Sequence, residues 1–306
     1  MQRVLTLVQR EWMQHRFGWL LVMLAPTVLL LLASFLDGGI QINVNDDKVS
    51  LPPLAHAPAL VQTGLLVLAV TGLTLAMALL AMGFQLPGLA WRDQQDRSIE
   101  FWNSLPVGHA QAVAATLATQ ILLMPALAIG VGMAGGLMAS LVSVAITHGP
   151  LAWLALPWAQ LTLAMGVLLL RMLVALVVAM AWLSPLLLLT MAASAWLRRW
   201  GVPVVAALTL AGTLIVDRRL PEPVIGPALW LPVTEALHAL LYFDAVRGLQ
   251  VQRLQDVQAL LPSLPQRFLA DLPPMLSALA TPAFALALAA AAVGFALLVL
   301  RRQRGA

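Results

Sequence analysis

RDQQDRSIEFWNSLPVGHAQ, residues 92–111, is a polar island between two long apolar runs. Its surroundings decide the fold class. The 306-residue chain is 61% hydrophobic and 10% charged, with a mean hydropathy of +0.91. Soluble domains hold about 45–50% apolar and about 25% charged residues. A helix needs about 20 apolar residues to cross roughly 30 Å of hydrocarbon, and several runs here reach that length. None alternates with the period of two that a membrane β-barrel requires. The sequence therefore predicts an all-α, polytopic integral membrane protein, with a single transmembrane domain over residues 1–306.

Outward from the island, six spans are expected, over residues 17–35, 59–86, 112–146, 168–197, 202–216 and 276–300. The fifth is short for a crossing and reads as tilted or partly re-entrant. Residues 1–16 repeat Val4, Leu7, Val8 and Trp12 at helical spacing, so an amphipathic helix lying on the membrane is expected there, not a cleaved leader. Residues 151–167 raise a question of parity. If they crossed separately, Arg198 and Arg199 would fall opposite Arg3, Arg10 and Arg16. One crossing over 168–197 keeps these arginines and the terminal RRQR on one face, and LAWLALPWAQ (151–160) becomes an interfacial helix. The proline-rich residues 217–275 then lie on the far side. On this assignment ten arginines stand with four acids at one face, against six basic and nine acidic residues at the other. That bias puts both termini and the island in the cytoplasm, in a multi-pass protein of the cell's inner (plasma) membrane.

The formal charge is +4 and the pI about 10.9, yet the basic residues sit at the ends of apolar runs and form no stripe for nucleic acid. There are no cysteines, which excludes disulfides and thiolate metal sites. ATP hydrolysis needs a GxxxxGK loop followed by Ser or Thr. Lys48, in DDKVS, has no such glycines before it, so no cofactor is expected on this chain and any energy source must be external. GVGMAG (130–135) matches GxGxxG in form only: it lies in an apolar run, and no acid occurs from Phe101 to Val216, whereas the dinucleotide fingerprint has one about 20 residues on. Gly132, Gly136 and Ser140, four residues apart, read instead as a small-residue stripe for close helix packing. The five histidines show no paired spacing, and no metal site is expected. Arg171 is the one charge near hydrocarbon. It is either a contact for an anionic substrate or, more simply, a boundary arginine snorkelling to headgroups.

Within the island, Asp93 is placed to cap a helix through Arg97, Ile99, Glu100, Phe101 and Trp102, closed by Pro106 and Gly108. Ile99, Trp102 and Leu105 recur at three-residue spacing and make an apolar ridge between charges. Such a ridge suits docking to another protein. A plain solvated loop with Trp102 at the headgroups fits the same residues.

The string RSIEFWNSLPVG (97–108) resembles the first cytoplasmic loop of the type 2 ABC transporter permeases. LVQREWMQHR (7–16), with Arg10, Glu11 and Trp12, is similar to their amphipathic elbow helix, and AMAWLSPLLLLTMAASAWLRR (179–199) to their fourth span. The resemblance follows most of the chain in hydropathy order, though its sharp part is short. Ser98 stands where the family usually has glycine, and Thr116 near where a lysine often follows the loop, so no role is carried over for that lysine. The resemblance implies that residues 92–108 hold a cytoplasmic coupling helix. Asp93, Arg97, Ile99, Glu100, Phe101, Trp102, Leu105 and Pro106 would then grip a separate ATP-binding cassette subunit that carries ATP and Mg. It also implies a second permease chain, identical or different, and export. Two other classes are weighed: a non-transporting membrane scaffold or accessory subunit, and an intramembrane enzyme. The acid-free stretch from Phe101 to Val216 argues against the enzyme.

Overall fold

The computed structural model describes residues 2–36, 57–95, 108–219, 221, 224–243 and 259–304. Among these, every regular element is helical. We number them α1 (Gln2–Leu36), α2 (Ala59–Gln95), α3 (His109–His148, with a π-helical turn at Ala118–Leu123), α4 (Pro150–Leu154), α5 (Trp158–Leu197), α6 (Gly201–Val216, π-helical from Gly212), α7 (Ile225–Leu241), α8 (Leu264–Ala270), α9 (Leu272–Ser277) and α10 (Pro282–Arg304). Four segments, Ala59–Leu89, His109–His148, Trp158–Leu197 and Pro282–Arg304, are long and apolar enough to cross a bilayer. The chain is thus a membrane-embedded helical protein by length and composition. In hydrocarbon each backbone polar group must be met within the helix, and the hydroxyls follow suit: Thr63 donates to the Ala59 carbonyl and Thr71 to that of Val67.

α2 and α3 are the closest pair. A Cβ on Gly132 would come within 2.8 Å of the Thr71 Cα, and one on Gly136 within 2.5 Å of the Val67 Cα. Further along, Gln62 Nε2 donates to Ser143 Oγ at 2.7 Å. Rising α2 numbers meet falling α3 numbers, so the two are antiparallel. Ser140 is wholly buried and accepts from the Trp153 indole of α4 at 3.2 Å. Gly149, at a φ of +88° ahead of Pro150, ends α3 with a left-handed residue that a side chain would strain.

α5 and α10 run parallel. Trp182 meets Phe284 edge-on at 5.2 Å, Gly294 lies against Leu188, and Arg301 Nε donates to the Ala195 carbonyl at 3.2 Å. α1 touches Gly135 of α3 through Thr27 and also packs on the first turns of α3, which sets α1 parallel to α3. α10 reaches those same first turns. One end of the bundle therefore gathers the start of α1, the start of α3 and the ends of α5 and α10.

Several boundaries differ from expectation. Gln2–Leu36 is one continuous helix, without the break near residue 16 that a separate elbow lying in the membrane plane needs. α5 starts at Trp158, not at residue 168, so Trp158, Ala159 and Gln160 form its first turn and only Pro150–Leu154 is a short helix of its own. At 1.5 Å per residue α5 is about 60 Å long, twice the hydrocarbon thickness. Its first half can exceed the bilayer because α7, α8 and α9 pack on it. The last span begins at Pro282, not 276, since Thr281 breaks the helical path and accepts from the Phe284 N–H.

The expected short fifth span is the short helix α6. α6 starts with Gly201 against the Ser194 backbone of α5. The chain then breaks, and α7 packs along α5, ending where the Tyr242 carbonyl meets Arg171. Arg171 and Ser194 are 23 residues apart on α5, about 35 Å of helix rise. At the break, the Asp217 carboxylate accepts from the backbone N–H groups of Val224, Ile225 and Gly226 at 3.0, 2.9 and 2.6 Å, while Ile225 fills the space over Gly212. A carboxylate at the start of α7 satisfies donors that have no intrahelical partner and favours the helix dipole.

Candidate functional site

A buried cluster of polar chemistry surrounds Arg171. Helix α5 carries it inward, and its side chain is 0% exposed. Two segments converge on the guanidinium with three contacts. Its Nε stands 3.6 Å from Asp271 Oδ2 at the α8–α9 junction, one terminal nitrogen donates to the Tyr242 carbonyl just after α7, and the Phe243 ring lies 3.8 Å from Cζ. Phe268 of α8 meets Phe243 edge-on at 6.3 Å and walls the pair off. A buried charge survives only when it is paired and hydrogen-bonded, and these contacts supply both.

Beside this pair lies a cavity of about 110 Å³, lined chiefly by Glu235, His238, Tyr242, Asp271 and Met275. The His238 ring stacks on Tyr242 at 4.4 Å. Glu235 and His238 share one face of α7 by their three-residue spacing. The cavity thus brings two carboxylates and an imidazole together, and one of those carboxylates, Asp271, also pairs with Arg171. Among the described residues no group of three His, Asp or Glu side chains is placed to hold a metal ion. The chemistry on offer is hydrogen bonding and charge pairing with a small polar group.

Arg171 does not snorkel to headgroups, because the α7–α9 layer encloses it. What sequence reasoning missed is its partner: Asp271 sits in FLADLPPML, an acid in an apolar setting, and that isolation was the available signal. Glu235, in LPVTEALHALL, bore the same mark, while His238, Tyr242 and Phe243 carried none.

Of the residues expected at the docking loop, Arg97, Ile99, Glu100, Phe101, Trp102, Leu105 and Pro106 lie outside the described residues. Asp93 falls in the last turn of α2, which continues to Gln95, so the helix runs through it and it does not cap a new one. Arg10 and Glu11 lie on α1, where Trp12 is half-buried against the main core. Gly132, Gly136 and Ser140 lie at the α2–α3–α4 contacts described above. The chain matches no protein-family model, and neither a curated protein nor a solved structure matches it significantly.

Proposed function

We propose that this chain is the permease subunit of an ATP-binding cassette exporter, paired with a second permease chain and driven by a separate ATPase. Six crossings would be α1, α2, α3, α5, α6 with α7, and α10, with both termini in the cytoplasm. The observation that carries this reading is where residues 96–107 are tethered. They join the end of α2 to the start of α3, at the end of the bundle where α1 begins and α5 and α10 finish.

A load applied to that loop acts on two helices at once. α2 and α3 are in backbone contact at Gly132 and Gly136, and such packing transmits displacement as a rigid pair, because close-packed interfaces do not deform continuously. α1 follows through Thr27 against Gly135. In this reading Ile99, Trp102 and Leu105 sit in a groove of the ATPase, Arg97 and Glu100 pair at its rim, and ATP and Mg stay on that partner.

The test is co-expression with an ATP-binding cassette chain, followed by purification and ATPase turnover in vesicles. Trp102→Ala and Glu100→Ala are expected to weaken co-purification and to uncouple turnover from substrate. If no P-loop ATPase associates, or if turnover is indifferent to both substitutions, the proposal fails.

A further inference from the structure

We infer that the ends of α5 and α10 form a site for the headgroup of an anionic phospholipid. The two segments are Trp196-Leu197-Arg198-Arg199-Trp200 and Arg301-Arg302-Gln303-Arg304, distant in sequence and adjacent in the fold. Two guanidiniums stand near the Trp196 ring, with Arg301 Cζ at 5.9 Å and Arg304 Cζ at 5.5 Å from its centroid. Both fall within the reach of a cation–π contact. Among the described residues no carboxylate pairs with Arg198, Arg301 or Arg304. One indole therefore gathers two like charges, whose mutual repulsion an added anion would offset.

Two simpler roles account for part of this cluster. Arginines at helix ends answer the last carbonyls and the dipole, and Arg301 does so through Nε on Ala195. That bond leaves the fork of its two terminal nitrogens. A positive-inside bias needs a number of arginines on one face; it does not need them drawn together on one ring. The convergence is what points to a ligand.

The ligand's chemistry follows from the surroundings. A guanidinium fork matches phosphate oxygens in bidentate fashion, and basic pockets between helix ends take anionic headgroups. The site stands where two apolar helices stop, which is headgroup depth. Leu197 and Leu300, 44% and 45% exposed, adjoin it together with the exposed Trp200. These apolar surfaces suit acyl chains and offer nothing to a soluble phosphate.

The experiment uses the full chain in detergent with an equimolar mixture of phosphatidylglycerol and phosphatidylcholine, lipids retained being counted by native mass spectrometry. Wild type is expected to retain phosphatidylglycerol preferentially, and Arg301→Gln/Arg304→Gln to lose that preference by roughly thirtyfold, the scale of two arginines near an anionic surface. Arg218→Gln/Arg219→Gln, in the break after α6, is expected to keep it. If the double variant does not fold, the single Arg304→Gln, exposed on the last helical residue, still reads the site. Equal retention of both lipids by wild type, or a preference that survives loss of Arg304 and Arg301, overturns the proposal. So does full competition by millimolar inorganic phosphate, which would make it a soluble-anion site.

Discussion

Arg171 and Asp271 meet at 3.6 Å with side chains 0% and 5% exposed, so the pair ties the α8–α9 layer to α5 with almost no solvent screening. Removing one partner of such a pair leaves the other buried and uncompensated, a loss of about 3–5 kcal/mol. Arg171→Met and Asp271→Leu are each expected to lower the melting temperature in detergent sharply. The double substitution is expected to restore most of it, because both desolvation costs vanish together. Single losses that simply add in the double variant would show that the two charges are not coupled.

Two kinds of glycine are distinguishable by substitution. A methyl group on Gly136 would sit 2.5 Å from the Val67 Cα and one on Gly201 2.4 Å from the Ser194 Cα. Backbone cannot yield there as a flexible side chain can, so Gly136→Ala and Gly201→Ala are expected to cost about 1–3 kcal/mol or more through overpacking. Gly130, two residues from the contact at Gly132, meets nothing within 4 Å. Gly130→Ala is expected to be neutral or to stabilise by up to about 1 kcal/mol, since alanine is the better helix former. A thermal shift assay on the three single variants separates these outcomes.

Asp217 accepts three backbone N–H groups at the start of α7. Loss of a helix-capping side chain costs typically about 1 kcal/mol and up to about 2. Asp217→Ala is expected to raise amide hydrogen exchange at Val224, Ile225 and Gly226 while α2 and α3 remain protected. Uniform exchange across the chain would mean that the break between α6 and α7 does not depend on this carboxylate.

The membrane class was legible because it rests on composition and run length, which need no tertiary information. α2 and α3 were found to within a few residues at most ends, since Gly149-Pro150 and the polar island are local punctuation. α5 was cut short because residues 158–167 look like an interfacial stretch until the layer that packs on α5 is known, and that layer comes from residues 225–243 and 261–277, far along the chain. The same remoteness hid the site. Arg171 announced itself as a lone charge, but its position relative to Asp271 and Tyr242 depends on how α7 and α8 dock. The shortness of α6 was visible, since residues 202–216 are too few to cross, and only contacts could show that α7 packs beside α5 after it.

Sidedness is the remaining determinant of the functional reading, and the chain is well suited to a direct measurement because it contains no cysteine. A single introduced cysteine then reports one location. Gln303 lies on the last turn of α10, at the end shared with the start of α3, and Ser104 precedes α3 by a few residues in sequence. Gln266, exposed on α8, packs with the layer around Arg171, some 35 Å away along α5. With a membrane-impermeant maleimide, Gln266→Cys is expected to label in intact cells, and Gln303→Cys and Ser104→Cys only after the membrane is opened. The arginine bias predicts this direction, since basic ends resist translocation. Ser104→Cys labelling in intact cells would place the loop where no ATP is available, and coupling to an ATPase through Trp102 would be ruled out while the helical arrangement itself stood unchanged.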